Sequence, residues 1–216
     1  MSDTTYGNVA TFDTRPDMAI PRESPLSVAY HRGSVPAPSR DGQVLLEEKP
    51  FLGHLILRGG AIVLDEALRE VLGINLPGRP LGLALDESGE CSVQWMSPDE
   101  WLVIVPGGEE FELENRLRSK LGEAHFAIVN VSGGQTLVEL SGEKARDVLM
   151  KSVPYDVHPQ NFPVGKAVST VFAKASAILR RPAEDRWELV LRRSFADYGY
   201  RWLLDAGEEF GIGVKR

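Results

Sequence analysis

The chain has 216 residues, 43% of them hydrophobic, with a formal net charge of -7. A chain of this size buries roughly 70% of its unfolded surface, enough for one domain or two intimate lobes, and an acidic balance without a Lys/Arg-rich block argues against a nucleic-acid backbone or an anionic membrane as partner. The single cysteine, Cys91, excludes an internal disulfide and a cysteine metal cluster, while the lack of a long apolar run or a signal-like start points to a soluble, cytoplasmic protein.

Residues 1–50 differ from the rest. Pro16, Pro21, Pro25, Pro36, Pro38 and Pro50 each remove a backbone donor and bias the preceding residue toward extended geometry, so a continuous helix is excluded. Residues 1–24 read either as a frayed tail or as part of an arm, whereas Leu26 to His31 and Gln43 to Glu47 have more structured character. The expectation is an N-terminal arm that docks on a partner, with Leu26, Val28 and Tyr30 carrying the apolar contact.

A first lobe is expected over 51–131. Phe51, Leu55 and Leu57 alternate as in a strand that Gly59 and Gly60 break. Ala61 to Asp65 reads as a loop, and Asp65 as the cap of a helix carrying Ala67, Leu68, Val71 and Leu72 and ending at Gly73. Leu81 to Leu85 and Cys91 to Trp95 form a hairpin around Glu87, Ser88 and Gly89, Leu102 to Val105 make another strand, and a helix with Leu113, Leu117 and Leu121 follows. Ala127 to Val131 is a short strand.

The second lobe, 132–216, repeats that plan. Its clearest part is Trp187 to Ala206, a strand with Trp187, Leu189 and Leu191 on one side followed by a helix that Ser194 caps and that carries Phe195, Tyr198 and Trp202 at helical spacing. Moving 86 positions puts Trp101 on Trp187, Ile104 on Val190 and Leu117 on Leu203; upstream, Leu55 to Gly60 match Leu137 to Gly142 at 82, and Leu68 to Leu72 match Ala145 to Leu149 at 77. Val168 to Phe172 and Ala177 to Leu179 supply the matching hairpin, and Phe210 to Val214 a last strand. Each lobe therefore reads β-α-β-β-β-α, a tandem pair of ferredoxin-like-type α+β lobes packed as one body.

Few residues offer chemistry. His158 sits two positions from Asp156 in a proline-bounded loop with no third partner, and His31, His54 and His125 are scattered, so neither an acid-base pair nor a metal site is expected. Val131-Ser132-Gly133-Gly134-Gln135 joins two strands and opens no helix, which favours a hairpin turn over a phosphate cradle. Cys91 has no base placed near it, and Arg192 with Arg193 reads as a solvated pair at a strand end or, as the alternative, an anion grip. No catalytic, cofactor-binding or metal residue is expected.

The combination Trp95-Met96-Ser97-Pro98-Asp99-Glu100-Trp101-Leu102, Leu140-Ser141-Gly142 with Ala145-Arg146-Asp147-Val148-Leu149, Asp156-Val157-His158-Pro159 with Phe162-Pro163 and Gly165, and Arg192-Arg193-Ser194-Phe195-Ala196-Asp197-Tyr198 resembles the gamma subunit of heterotetrameric sarcosine oxidase. That family is similar in fold to the folate-binding aminomethyltransferases and glycine-cleavage T proteins. The resemblance implies a flavoenzyme oxidising sarcosine to glycine and formaldehyde, with alpha, beta and delta subunits as partners. FAD, FMN, NAD and tetrahydrofolate would belong to those subunits. Where the folate group has Asp-x-Ser this chain has Asn130-Val131-Ser132, and the hairpin strands Cys91 to Trp95 and Ala177 to Arg181 carry no carboxylate. A stand-alone folate-dependent enzyme or regulator is the rival reading. A third keeps the subunit role with another N-methylated amino acid as the complex's substrate.

Overall fold

A computed structural model describes residues 22–31 and 42–215 of the chain. Most of the expected arm, 1–21 and 32–41, lies outside the described residues. In chain order the elements are α1 (Ser27–His31), β1 (Val44–Lys49), β2 (Gly53–Gly59), α2 (Ala61–Leu72), β3 (Leu83–Leu85), β4 (Ser92–Ser97), β5 (Glu100–Val105), α3 (Glu110–Leu121) and β6 (Phe126–Asn130). The second half contains β7 (Gln135–Ser141), α4 (Ala145–Ser152), β8 (Lys166–Phe172), β9 (Ala175–Ala183), β10 (Arg186–Arg192), α5 (Ala196–Gly207) and β11 (Ile212–Lys215).

Two sheets form, one in the order β3-β4-β5-β2-β6 and the other β8-β9-β10-β7-β1-β11. Because successive strand side chains alternate faces, each sheet has two apolar sides to cover. On one sheet Leu55, Leu57, Trp101 and Val103 take Leu64 and Leu68 of α2 and Leu113 and Leu117 of α3. On the other, Val138, Leu140, Trp187 and Leu189 take Val148 and Leu149 of α4 and Tyr200 and Leu203 of α5. The remaining faces meet each other: Leu83, Leu102 and Ile104 pack against Leu137, Ala167, Ile178 and Val190. The result is four layers, helix, sheet, sheet, helix, and the expected α+β pair of lobes sharing one body. At about 1.5–3 kcal/mol per fully buried Leu or Ile, the shared layer supplies stability that neither lobe has alone.

Several local expectations change. β1, placed by sequence in the arm, is a central strand of the second sheet, antiparallel to β7 and parallel to β11. Val44 and Leu46 are fully buried there, so the 1–50 segment cannot be set apart from the lobes at Pro50. Leu26 is likewise fully buried, and the Tyr30 ring meets Tyr200 edge-on at 6.1 Å. Leu26 is thus part of this chain's core and the partly buried Tyr30 packs against it, while Val28 is exposed, at 49%.

The expected loop at 61–65 is the first part of α2, and Asp65 caps nothing; its carboxylate accepts the Leu76 N–H at 2.7 Å. Ser194 makes no capping bond: a short 3-10 turn, Arg193–Phe195, leads into α5 instead. α5 buries Ala196, Tyr200 and Leu203, leaving Phe195 and Tyr198 outside. Gly133 and Gly134 do form a turn, with φ +79 at Gly133 and Gly134 N–H to Val131 O at 3.1 Å. It links β6 to β7, strands of different sheets, and is therefore no hairpin.

Candidate functional site

The described structure concentrates its buried polar groups between the two sheets. On β9 the alternation sends Arg180 toward the opposite sheet and Arg181 toward the helices. Arg180 is 2% exposed; one guanidinium nitrogen donates to Ser92 Oγ at 2.9 Å and another to the side-chain oxygen of Gln94 at 3.4 Å, both on β4. Its Nε lies 2.9 Å from Glu188 Oε2 on β10, an ion pair too bent to count as a hydrogen bond at that nitrogen. Burial pulls the Arg180 pKa down, opposed by Glu188; a guanidinium keeps its proton regardless, so the charge must be matched in place.

His54 lies on the same face of β2, 1% exposed, with both ring nitrogens buried and without a hydrogen-bond partner among the described residues. Burial first, then the charge of Arg180, lowers its pKa to about 4. A neutral, walled-in imidazole and an Arg already engaged by three side chains make an interior that holds the lobes in register. Substrate has no route to either group through the 1% and 2% of their surface left open.

The second buried cluster ties the N-terminal segment down. Glu48 of β1, 8% exposed, accepts from Ser24 Oγ at 2.8 Å and Thr136 Oγ1 at 3.0 Å. Burial raises its pKa, and those two hydrogen bonds oppose the rise. Arg193 donates to Glu23 O at 3.1 Å, which clamps the same segment from α5's side. Arg192, its neighbour, is exposed and forms no ion pair among the described residues.

The other residues singled out by sequence are not brought together. His158 is exposed and its Nδ1 accepts the Gln160 N–H at 3.3 Å, while Asp156 accepts the His158 N–H at 2.9 Å, a loop-bracing turn. His125 is exposed elsewhere, and among the described residues no three His, Cys, Asp or Glu gather as metal ligands. Burial, with Asp86 nearby, pushes the Cys91 thiol up to about 11, far from an activated thiolate. No helix of the described residues is long and apolar enough to cross a membrane. Sequence reasoning missed the Arg180 cluster, although its signal was there: Gln94 and Arg180 stand one repeat apart at the spacing that joins Trp101 to Trp187.

Residues 59–209 match the profile described as the sarcosine oxidase, gamma subunit family. The chain belongs to the sarcosine oxidase gamma subunit family. Among curated relatives it is 37% identical over 144 residues to the sarcosine oxidase subunit gamma of Corynebacterium sp. (strain P-1), covering 67% of this chain and 70% of that one. It is 33% identical over 201 residues to the same subunit of Corynebacterium sp. (strain U-96), covering 92% and 96%. Among solved structures it superposes on a chain of the heterotetrameric sarcosine oxidase from Corynebacterium sp. U-96 in complex with pyrrole 2-carboxylate, with TM-score 0.76, 30% identity and coverage of 88% and 96%. The glycine cleavage system aminomethyltransferase T from Bartonella henselae matches at TM-score 0.59 and 13% identity, over 80% of this chain and 48% of that one, which relates this family's fold to that transferase.

Proposed function

We propose that the chain is a non-catalytic structural subunit of a heterotetrameric sarcosine oxidase in the cytoplasm, binding and stabilising alpha, beta and delta subunits that hold FAD, FMN, NAD and tetrahydrofolate. The complex converts sarcosine, O2 and water to glycine, formaldehyde and H2O2, or makes methylene-tetrahydrofolate when folate is present. The observation that carries this reading is the superposition along 96% of one chain of such an oxidase.

The rival, a stand-alone folate enzyme, needs an acidic group free between or beside the hairpin strands. In support of the subunit role, Arg180 occupies that place and its matching carboxylate, Glu188, is committed to it. Val28, exposed on α1 beside the buried Leu26, is the contact residue of the N-terminal segment that remains for a partner.

The test is to produce the chain alone and together with its partner subunits. The expected result is a colourless isolated chain without oxidase activity and a complex in which it stands at one copy. Stoichiometric flavin in the chain alone, or turnover by it, would sink the proposal.

A further inference from the structure

Arg192 and Gln135 are direct cross-strand partners on β10 and β7. Val190 and Leu137, two positions along the same strands, lie in the layer between the sheets, so Arg192 and Gln135 extend from that same face at its open end. Ser176 on β9 and Ser169 on β8 take this face too, flanking Ile178, and Met96 of β4 closes over it from the opposite sheet. Together they line a cleft of about 570 Å³, within the range of small-molecule sites.

Two groups in the cleft lack the partners their chemistry calls for. Arg192 has no carboxylate in ion-pair range among the described residues, and no residue lining the cleft is acidic. The side-chain oxygen of Gln135 is buried and accepts no hydrogen bond among the described residues, a state that costs about 1–3 kcal/mol. A sulfate satisfies the cation but sets only acceptors against that oxygen. An amino-acid zwitterion brings an ammonium beside an unmatched guanidinium. A monoanion with a neutral N–H next to its carboxyl group satisfies both, and Met96, Ile178 and Val190 offer an apolar bed for its body.

We propose that this cleft binds a monocarboxylate bearing a neutral N–H donor beside the carboxyl group and an apolar side chain, the chemistry shared by N-acylated amino acids and by the free C-terminus of a peptide. Arg192 takes the carboxylate, the partly exposed Gln135 side chain turns its buried Oε1 into the cleft to accept the N–H, and the inter-sheet floor takes the side chain.

Calorimetric titration of the full chain with N-acetyl-L-leucine tests this. One saturable site per chain is expected. N-acetyl-L-leucinamide, which lacks the charge, and N-acetyl-N-methyl-L-leucine, which lacks the N–H, should each bind about tenfold or more weakly, the size of one lost charged or buried hydrogen bond. Arg192→Gln should weaken N-acetyl-L-leucine by a similar factor without moving the melting temperature, since Arg192 is exposed and unpaired. Gln135→Leu should erase the difference between the N–H and N-methyl ligands. A pentapeptide acid ending in leucine distinguishes the source: tenfold tighter binding than N-acetyl-L-leucine identifies a chain end, equal binding a free N-acyl amino acid. Absence of saturable binding by both, affinity unchanged in Arg192→Gln, or L-leucine binding as tightly as its N-acetyl form overturns the proposal.

Discussion

Arg180 lies 3.4 Å from the side-chain oxygen of Gln94, the residue that holds the same place one repeat earlier. A contact between equivalent positions is what two duplicated lobes make where they face each other, as in a self-complementary interface. The equivalence also sorts their roles. Gln94 is a neutral acceptor on one side, and Arg180 brings the charge that Glu188 balances at 2.9 Å.

Removing that balance should be costly. Glu188→Gln leaves a guanidinium buried without its counter-charge, and an expected loss of about 3–5 kcal/mol follows from breaking one side of a buried pair. Replacing both partners, Arg180→Met with Glu188→Leu, should be roughly neutral by comparison, because the desolvation of both charges disappears with them. Urea unfolding of the two variants measures the contrast. Equal losses in both would show that packing, and not charge balance, sets the stability of this layer.

His54 gives the fold a pH dependence with a defined sign. It stays neutral in the folded chain down to about pH 4, while an unfolded histidine takes its proton near 6.5. Between those values the unfolded state binds more protons, so this stabilisation is complete above about 6.5 and declines as pH falls toward 4, by on the order of 3 kcal/mol in all. Glu48 and Glu139, whose carboxyl pKa values burial raises, act in the opposite sense, favouring the fold as pH falls. The clean observable is the stability difference between the natural chain and His54→Leu across pH 7 to 4. It should shift against the natural chain by roughly that amount, and a flat difference would refute the assignment.

In the N-terminal segment Leu26 holds the fold while Val28 faces outward. Leu26→Ala should cost about 2–5 kcal/mol, since the side chain is fully buried beside the layer of α4 and α5. Val28→Asp should leave the isolated chain's urea midpoint unchanged and weaken its association with partner subunits. A loss of stability in Val28→Asp, with association intact, would remove Val28 as a contact residue.

Gly142 closes the joint between β7 and α4 against the entry of β1. Its φ is +104, and a Cβ there would stand 2.4 Å from Gln43 O. Gly142→Ala therefore forces the backbone of Gln43 away and should cost about 1–3 kcal/mol or more. Hydrogen exchange should locate the damage, with faster exchange along Val44–Lys49 than along β9 and β10. Uniform acceleration across the second sheet would show a global effect instead.

The duplication was legible because Trp101 and Trp187, and Ile104 and Val190, keep face as well as spacing. Its upstream spacing was not. Trp101 pairs with Leu57 and Trp187 with Leu140, so the first strands correspond at 83 positions. The spacing of 82, which set Leu55 on Leu137, joins a helix-facing side chain to one between the sheets, since a slip of one residue turns a strand over. In the first helices, Leu64, Ala67 and Leu68 correspond by burial to Ala145, Val148 and Leu149, one turn from the spacing of 77, because a slip of four keeps a helix face.

The far end of the long strand β9, Ala175–Ala183, is hidden in the sequence because Pro182 stops a strand pattern. In the structure it falls at the irregular step where the register with β10 shifts, a place that tolerates a missing N–H. The inward place of β1 and Leu26 is not legible for a different reason. Their partners β7 and β11 lie far along the chain, and a short apolar stretch among prolines carries no sign of which distant strand it joins. Spacing does not say which face of α5 turns inward, because Phe195, Tyr198 and Trp202 keep helical spacing as well as the buried Ala196, Tyr200 and Leu203 do, and of the first three only Trp202 packs against the core. Periodicity reveals that faces exist, and packing decides which one turns inward.

The measurement that bears most directly on the account is native mass spectrometry of the tagged chain purified from its source. One copy of this chain is expected in a complex with larger flavin-bearing subunits that oxidises sarcosine, and after dissociation a gamma chain without flavin. A tagged chain that emerges alone, or that retains flavin or turnover once separated, would contradict it.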